Sequence, residues 1–522
     1  MQQETKEILI FKMKKTIAII SIIFFVSLIA FLSCNNAEDK ALKEGEQLAR
    51  GYCASCHAFP DPSLLDKKTW ADNVLPMMGQ FMNVDIYYQP YNNSGPARDV
   101  NVKRVTPDSL FPYAKWKNIV EWYVKNAPEK PLPRKEELAA VKTTLKNFTA
   151  HPVYDVVGFP LTTFVRYDTA MKKILFGDGI ANKIFALSND YKAKEIFDVY
   201  EGVTDLNKRD GNYQAITMGI LKPSDQKLGK LSKVFFKKKP ETIIDSLQRP
   251  VQAKYADLNG DGKEDIIISE FGFRTGALSW FENKGDNNAY EKHVLRALPG
   301  AIEIRINDFN KDGKPDIAAL MAQGDEGIFF YYNDGYGKFR EERVLQFPPS
   351  YGSSFFDMVD INKDGFLDII TNNGDNGDYS VILKAYHGIR IFLNDGKNKF
   401  IEKSFLPVYG AQKVMAKDYD NDGDIDLASI AFFPDYKNHA DESFIYWENK
   451  GGLSFNRSTF STATDGRWMT MDANDIDGDG DIDIVLGNAF FTLGDLPPAL
   501  KEKWKKQPLS LMILENTLVQ KK

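Results

Sequence analysis

Cysteine is almost absent: 522 residues hold three, at 34, 53 and 56. If those three have other duties, no disulfide framework exists, and packing and metal must supply stability. Positive charge is not in excess. The formal net charge is -6, which excludes the broad basic surface that nucleic-acid binding needs. No dinucleotide fingerprint, clear nucleophile or paired carboxylates occur outside one repeated acidic motif, so no enzyme class is indicated directly. Long apolar runs are missing apart from one near the N-terminus. What is present is ordinary for a folded chain, with 43% hydrophobic and 26% charged residues. The length leaves room for two or three domains.

The apolar run spans residues 16–32 and is broken only by Thr16, Ser21 and Ser27. Lys12, Lys14 and Lys15 precede it, and Ser33 and Cys34 follow. It is slightly short for a spanning helix, and charge resumes soon after it. The segment resembles a bacterial lipoprotein signal, although Phe31 stands where that pattern prefers Leu. The resemblance implies a signal peptide over 1–33, lipid on Cys34, and anchoring to a bacterial membrane in the periplasm or at the cell surface. Asn35 is not the Asp of an inner-membrane retention signal, so the outer membrane is preferred. An uncleaved anchor helix is the alternative. Met13 also reads as a natural start.

Cys53-Ala54-Ser55-Cys56-His57 is a C-x-x-C-H motif, whose thiols can form two thioethers to a porphyrin while the His supplies an axial nitrogen. A zinc site would want more Cys or His nearby, and the next His is His151. Residues 38–52 read as a helix leading into the motif. Residues 113–126 place Trp116, Ile119, Val120 and Tyr123 on one helical face, ended by Ala127-Pro128. Together these resemble a small class I cytochrome c domain with one covalent haem c. Met77, Met78 and Met82 are the candidate sixth ligands. The stretch Trp70, Val74, Leu75, Pro76, Met78, Gly79 resembles the W-x-x-x-V-L-P-x-M-G pattern of haem domains fused to repeat propellers, and that pattern implies Met78.

Beyond a Pro-rich stretch at 128–135, one motif recurs five times: D-x-[DN]-x-D-G-x-x-D. Oxygen donors stand at positions 1, 3, 5 and 9. They are Asp257, Asn259, Asp261 and Asp265; Asp308, Asn310, Asp312 and Asp316; Asp360, Asn362, Asp364 and Asp368. Asp418, Asp420, Asp422 and Asp426, then Asp475, Asp477, Asp479 and Asp483, complete the set. Hard donors at this spacing, with a carbonyl at position 7 and Gly at position 6 for the turn, suit Ca2+. An EF-hand is excluded because position 12 is never Glu and falls in an apolar, strand-like run. Without metal, each cluster of carboxylates would repel itself. About five Ca2+ ions would offset the chain's net negative charge, so its acidity says little about partners.

The loops resemble the FG-GAP or VCBS repeats of integrin-like β-propellers. Four short strands per period of about 50 residues fit a propeller blade. Residues 164–200 and 213–247 read as two degenerate blades without a calcium loop. With the five others they predict seven blades, six or eight being the alternatives. The last three blades carry insertions at 372–388, 432–443 and 489–508, which should project from the face opposite the calcium loops. They hold Tyr379, Tyr386, His387, Phe432, Phe433, Tyr436, His439, Phe490 and Phe491, expected either as a stacking surface or as local packing, with the two His at the surface.

The fold class expected is multidomain: a small all-α cytochrome c domain followed by an all-β propeller. The divisions are a signal at 1–33, haem domain at 34–130, linker at 131–150 and propeller at 151–522. The function expected is envelope-anchored electron transfer, with the propeller as platform for a redox partner protein, a glycan or a small reductant. A quinoprotein-like sugar or alcohol dehydrogenase passing electrons to its own haem, and an adhesion protein, are the rivals.

Overall fold

The computed structural model describes residues 38–82, 84, 112–134, 140–209, 211–285, 289–377, 381–490, 494 and 496–519. The proposed signal, Cys34, Tyr379 and Phe491 lie outside them. The chain forms two compact units, one helical (Met1–Ser55 and Asp61–Lys130) and one of strands (Cys56–Pro60 and Pro131–Lys522). Among the described residues no helix is long and apolar enough to cross a membrane.

In the helical unit, a helix over 38–52 packs on the helix Tyr113–Asn126. The crossing is close because residue 45 is Gly. A Cβ there would lie 2.1 Å from the Asn118 carbonyl oxygen and 3.0 Å from Trp122 Cβ. Trp116, Ile119 and Tyr123 are buried, as their spacing predicts, and Trp122 joins them. Trp70 donates its indole N–H to the Pro62 carbonyl at 2.8 Å, and its ring tilts against Tyr123 at 4.6 Å. Gly45→Val should destabilise this unit by about 3 kcal/mol, since backbone cannot yield as a side chain would. Thermal loss of the far-ultraviolet helical signal checks it, and an unchanged midpoint would contradict the crossing.

The second unit is a ring of seven four-stranded antiparallel sheets. Blades 1 to 6 run Thr162–Asp198, Val203–Leu247, Pro250–Arg296, Ala301–Gln346, Ser353–Pro407 and Ala411–Ser458. Blade 7 takes three strands from Trp468–Asn516 and its outer strand, Phe148–Tyr154, from before blade 1. Phe148 pairs with Asn516, so hydrogen bonds between the two ends of the propeller close the ring. Within 131–150, Arg134 grips Glu442 at 3.0 and 2.6 Å, Val141 is buried, and Lys142 bridges to Ser458.

The second strand of every calcium-motif blade is buried along its whole length. Covered on both faces, such strands read as continuous apolar runs rather than alternations. The apolar clusters form between neighbouring blades, as where Ile267 and Trp280 of blade 3 meet Ile304 and Phe329 of blade 4. All seven first strands shift register near their start, including those of blades 1 and 2, which lack the acidic motif. A shared bulge adds the same local twist to each blade.

Candidate functional site

The five acidic loops join the first and second strands of blades 3 to 7, all at one end of the ring. Each ligand-type side chain is held by backbone N–H groups. Position 5 donates to the position-3 oxygen at 2.9–3.3 Å. Position 7 donates to the position-5 carboxylate at 2.8–3.1 Å. In blades 3 to 6 the position-6 Gly donates to the first Asp at 2.8–3.0 Å. That Gly has φ between 81° and 102° in all five loops, a region closed to other residues without strain.

The last Asp of each loop, Asp265, Asp316, Asp368, Asp426 or Asp483, is at most 1% exposed. One of its oxygens accepts from the loop's second residue at 2.9–3.2 Å. The other accepts from an Asn on the third strand at 2.7–2.8 Å: Asn283, Asn333, Asn394, Asn449 or Asn516. Burial pushes all five carboxyls up, with Asp426 reaching about 6 and Asp483 about 7, and neighbouring Asp residues add to the effect.

In blade 6, oxygens of Asp418, Asp420 and Asp426 lie within 4.8 Å of one another, as do those of Asp475, Asp477 and Asp483 in blade 7. Blades 3 to 5 carry Asn at position 3, whose amide oxygen takes the same place without a charge. These acidic groups are consistent with Ca2+.

The five Asn residues mark a role that sequence reasoning missed, although their Asn-x-Gly repetition in blades 3 to 6 was the available signal. Asn333 donates to the Leu258 carbonyl of blade 3 at 2.9 Å, and Asn516 to the Tyr419 carbonyl of blade 6 at 2.8 Å. The loop of one blade is thus tied to the next. Asn516→Ala should cost about 1–3 kcal/mol, because it strands buried carbonyls at the closing blade. Denaturant titration reads the effect, and a cost below about 0.5 kcal/mol would remove the tie.

The insertions of blades 5 to 7 connect second to third strands, at the end opposite the acidic loops. They pack on one another. A Cβ on Gly494 would meet Val381 at 3.1 Å and both Arg467 and Phe433 at 3.9 Å. The Arg467 guanidinium lies 4.1 Å over Phe432 and 4.8 Å over Phe433. Phe432, Phe433 and Tyr436 are consequently buried, and Tyr386 stacks on Tyr351 at 4.7 Å. His439 is exposed, as expected, but His387 is 1% exposed, which corrects its surface assignment. Burial beside Lys384 and Arg390 keeps its imidazole neutral.

In the helical unit, Cys53 N–H closes the first helix on Ala49 at 2.8 Å. Cys53 is half-buried, Cys56 is exposed, and neither forms a disulfide. His57 Nδ1 lies 2.8 Å from the Ala58 carbonyl. Burial, with Cys53 beside it, pushes the Tyr123 hydroxyl far up. Met77 and Met78 are half-buried on the helix Leu75–Phe81, and Met82 caps it.

The model for the FG-GAP-like repeat matches residues 257–319, 308–371 and 418–486, each match running from one acidic loop into the second strand of the next blade. Over 158 residues the chain is similar, at 30% identity, to Integrin alpha-PS3 of Drosophila melanogaster. That stretch covers 26% of this chain and 14% of the relative. Among solved structures, a lectin of Agrocybe aegerita, described as recognising non-reducing terminal N-acetylglucosamine, is 15% identical. It covers 70% of this chain and 97% of its own at a TM-score of 0.35. A luciferin-regenerating enzyme is 9% identical, covering 70% and 95%, also at 0.35.

Proposed function

We propose that this is an envelope-anchored electron-transfer protein. One c-type haem is held by Cys53, Cys56 and His57, and the calcium-loaded propeller serves as platform for a redox partner, a glycan or a small reductant. The observation that carries the reading is the state of the C-x-x-C-H segment. Two cysteines outside any disulfide precede a His whose Nδ1 points at the Ala58 carbonyl. A proton on Nδ1 leaves the lone pair on Nε2, the tautomer that ligates a metal. The donor set therefore fits the group. Bound haem would supply one-electron redox chemistry, with a thioether sixth ligand favouring electron transfer over oxygen chemistry. The thiols would fix the ring covalently, the Ala58 carbonyl would orient His57, and Met78 would donate its sulfur. Lipid on Cys34 would keep the chain at the membrane.

The test is a haem stain after denaturing electrophoresis of protein from cells able to attach c-type haem, followed by a reduced-minus-oxidised spectrum. Haem that stays with the denatured chain is expected. A chain that carries none, or loses it on denaturation, would contradict the reading.

A further inference from the structure

Blades 1 and 2 differ from the other five in charge and in surface. They lack the acidic motif, and residues 161–250 hold sixteen Lys and Arg against eleven Asp and Glu. Two hairpins at their acidic-loop end expose large apolar side chains: Met171, 37% exposed, between the first and second strands of blade 1, and Phe236, 54% exposed, in blade 2. Between them lies a cleft of about 470 Å3, whose apolar wall includes Ala186, Ile196 and Phe197.

Lysines ring this cleft. Lys173, Lys192 and Lys194 line it, while Lys172 and Lys237–Lys239 stand beside its two apolar tips, all exposed. Lys192 is paired with Asp190 at 2.7 Å. The nearby carboxylates Glu195 and Asp198 are both taken by Lys183. The other rim lysines form no ion pair with the described residues, and Lys237 leans over the Phe236 ring at 5.5 Å.

The occupant must therefore be anionic on the outside and apolar within. An extended acidic peptide is the poorer fit. The outer strand of blade 1 would have to accept it, and Phe197 on that strand is already bridged to Phe236 of blade 2. The apolar groups stand on hairpin tips rather than along a strand edge, so they project past the end of the ring. Apolar tips in a collar of lysines match the headgroup region of a bilayer, where each basic residue gains from the negative surface and aromatic groups enter the interface.

We propose that the acidic-loop end of blades 1 and 2 is a membrane-contact surface, with Met171 and Phe236 entering a bilayer whose anionic headgroups meet Lys172, Lys173, Lys194 and Lys237–Lys239. This surface is independent of the haem reading. It sets which end of the propeller faces the membrane and leaves the insertion-bearing end free.

Vesicle co-sedimentation tests it on the chain from residue 35 onward, so that neither the apolar run at 16–32 nor an acyl group supplies binding. The probes are phosphatidylcholine vesicles with and without phosphatidylglycerol. Binding to the anionic vesicles, weakened by salt, is expected. Joint Lys237→Glu, Lys238→Glu and Lys239→Glu should weaken it about tenfold or more. Phe236→Glu should also weaken it, while Ile180→Glu, on an exposed loop at the opposite end of blade 1, should not. An unchanged melting temperature shows that each variant is folded. No sedimentation, equal binding to both vesicle types, or charge reversal without effect would overturn the proposal. So would retention of poly-glutamate without vesicle binding, which would mark an acidic-protein site.

Discussion

Chelating calcium should lower the melting temperature of the propeller by on the order of 20 °C. Five sites at roughly 100 times their Kd would contribute about 2.7 kcal/mol each, and a unit of this size moves a degree or more per kcal/mol. The physical source is charge. Each loop gathers three to five carboxylates, and its last Asp is buried on the strand that the loop feeds. Asp426 and Asp483 are pushed up to about 6 and about 7, so without metal each holds its proton through the mildly acidic range.

The sign of the pH dependence follows. A carboxyl whose folded pKa lies above its unfolded value takes up protons on folding. Stability of the metal-free chain should then fall as pH rises from about 4 through about 7. Calcium displaces those protons, so the calcium-induced rise in melting temperature should be larger at pH 8 than at pH 5. Calorimetry with and without chelator at the two pH values reads both effects. A shift equal at both, or absent, would count against metal in these loops.

Loss of the proposed covalent haem is the second large effect expected. Cys53→Ser with Cys56→Ser should give a chain from which all haem is removed by denaturation, because no thioether remains. Cys56→Ser alone should retain haem through one bond. Met78→Ala should keep covalent haem yet lose the long-wavelength charge-transfer band of a thioether–iron bond, and Met77→Ala should keep that band. A band that survives in Met78→Ala and vanishes in Met77→Ala would move the sixth ligand by one residue.

The acidic loops were legible because ligands, turn and strand start lie within nine consecutive residues. The buried second strands were legible for a similar reason, since cover on both faces leaves an uninterrupted apolar run. Closure by Phe148–Tyr154 was not. Its partner Leu509–Asn516 lies at the other end of the propeller, and nothing local distinguishes a closing strand from any other. The Asn clamp was half legible. The Asn-x-Gly repetition was visible, but its meaning depends on a third strand bringing Asn283 back to Asp265.

The insertions show a different limit. Phe432 and Phe433 read as local packing of a long insertion or as exposed stacking groups. Arg467, arriving from the next blade, decides the matter by lying over both rings. His387 was read as a surface residue because it lies in the insertion 372–388, whereas the fold leaves it 1% exposed.

The most direct measurement is elemental analysis of the purified full chain by inductively coupled plasma mass spectrometry, after dialysis against metal-free buffer. The account predicts about five calcium and one iron per chain. Calcium well below the number of loops would contradict the metal-bound propeller, and a chain free of iron would contradict the haem.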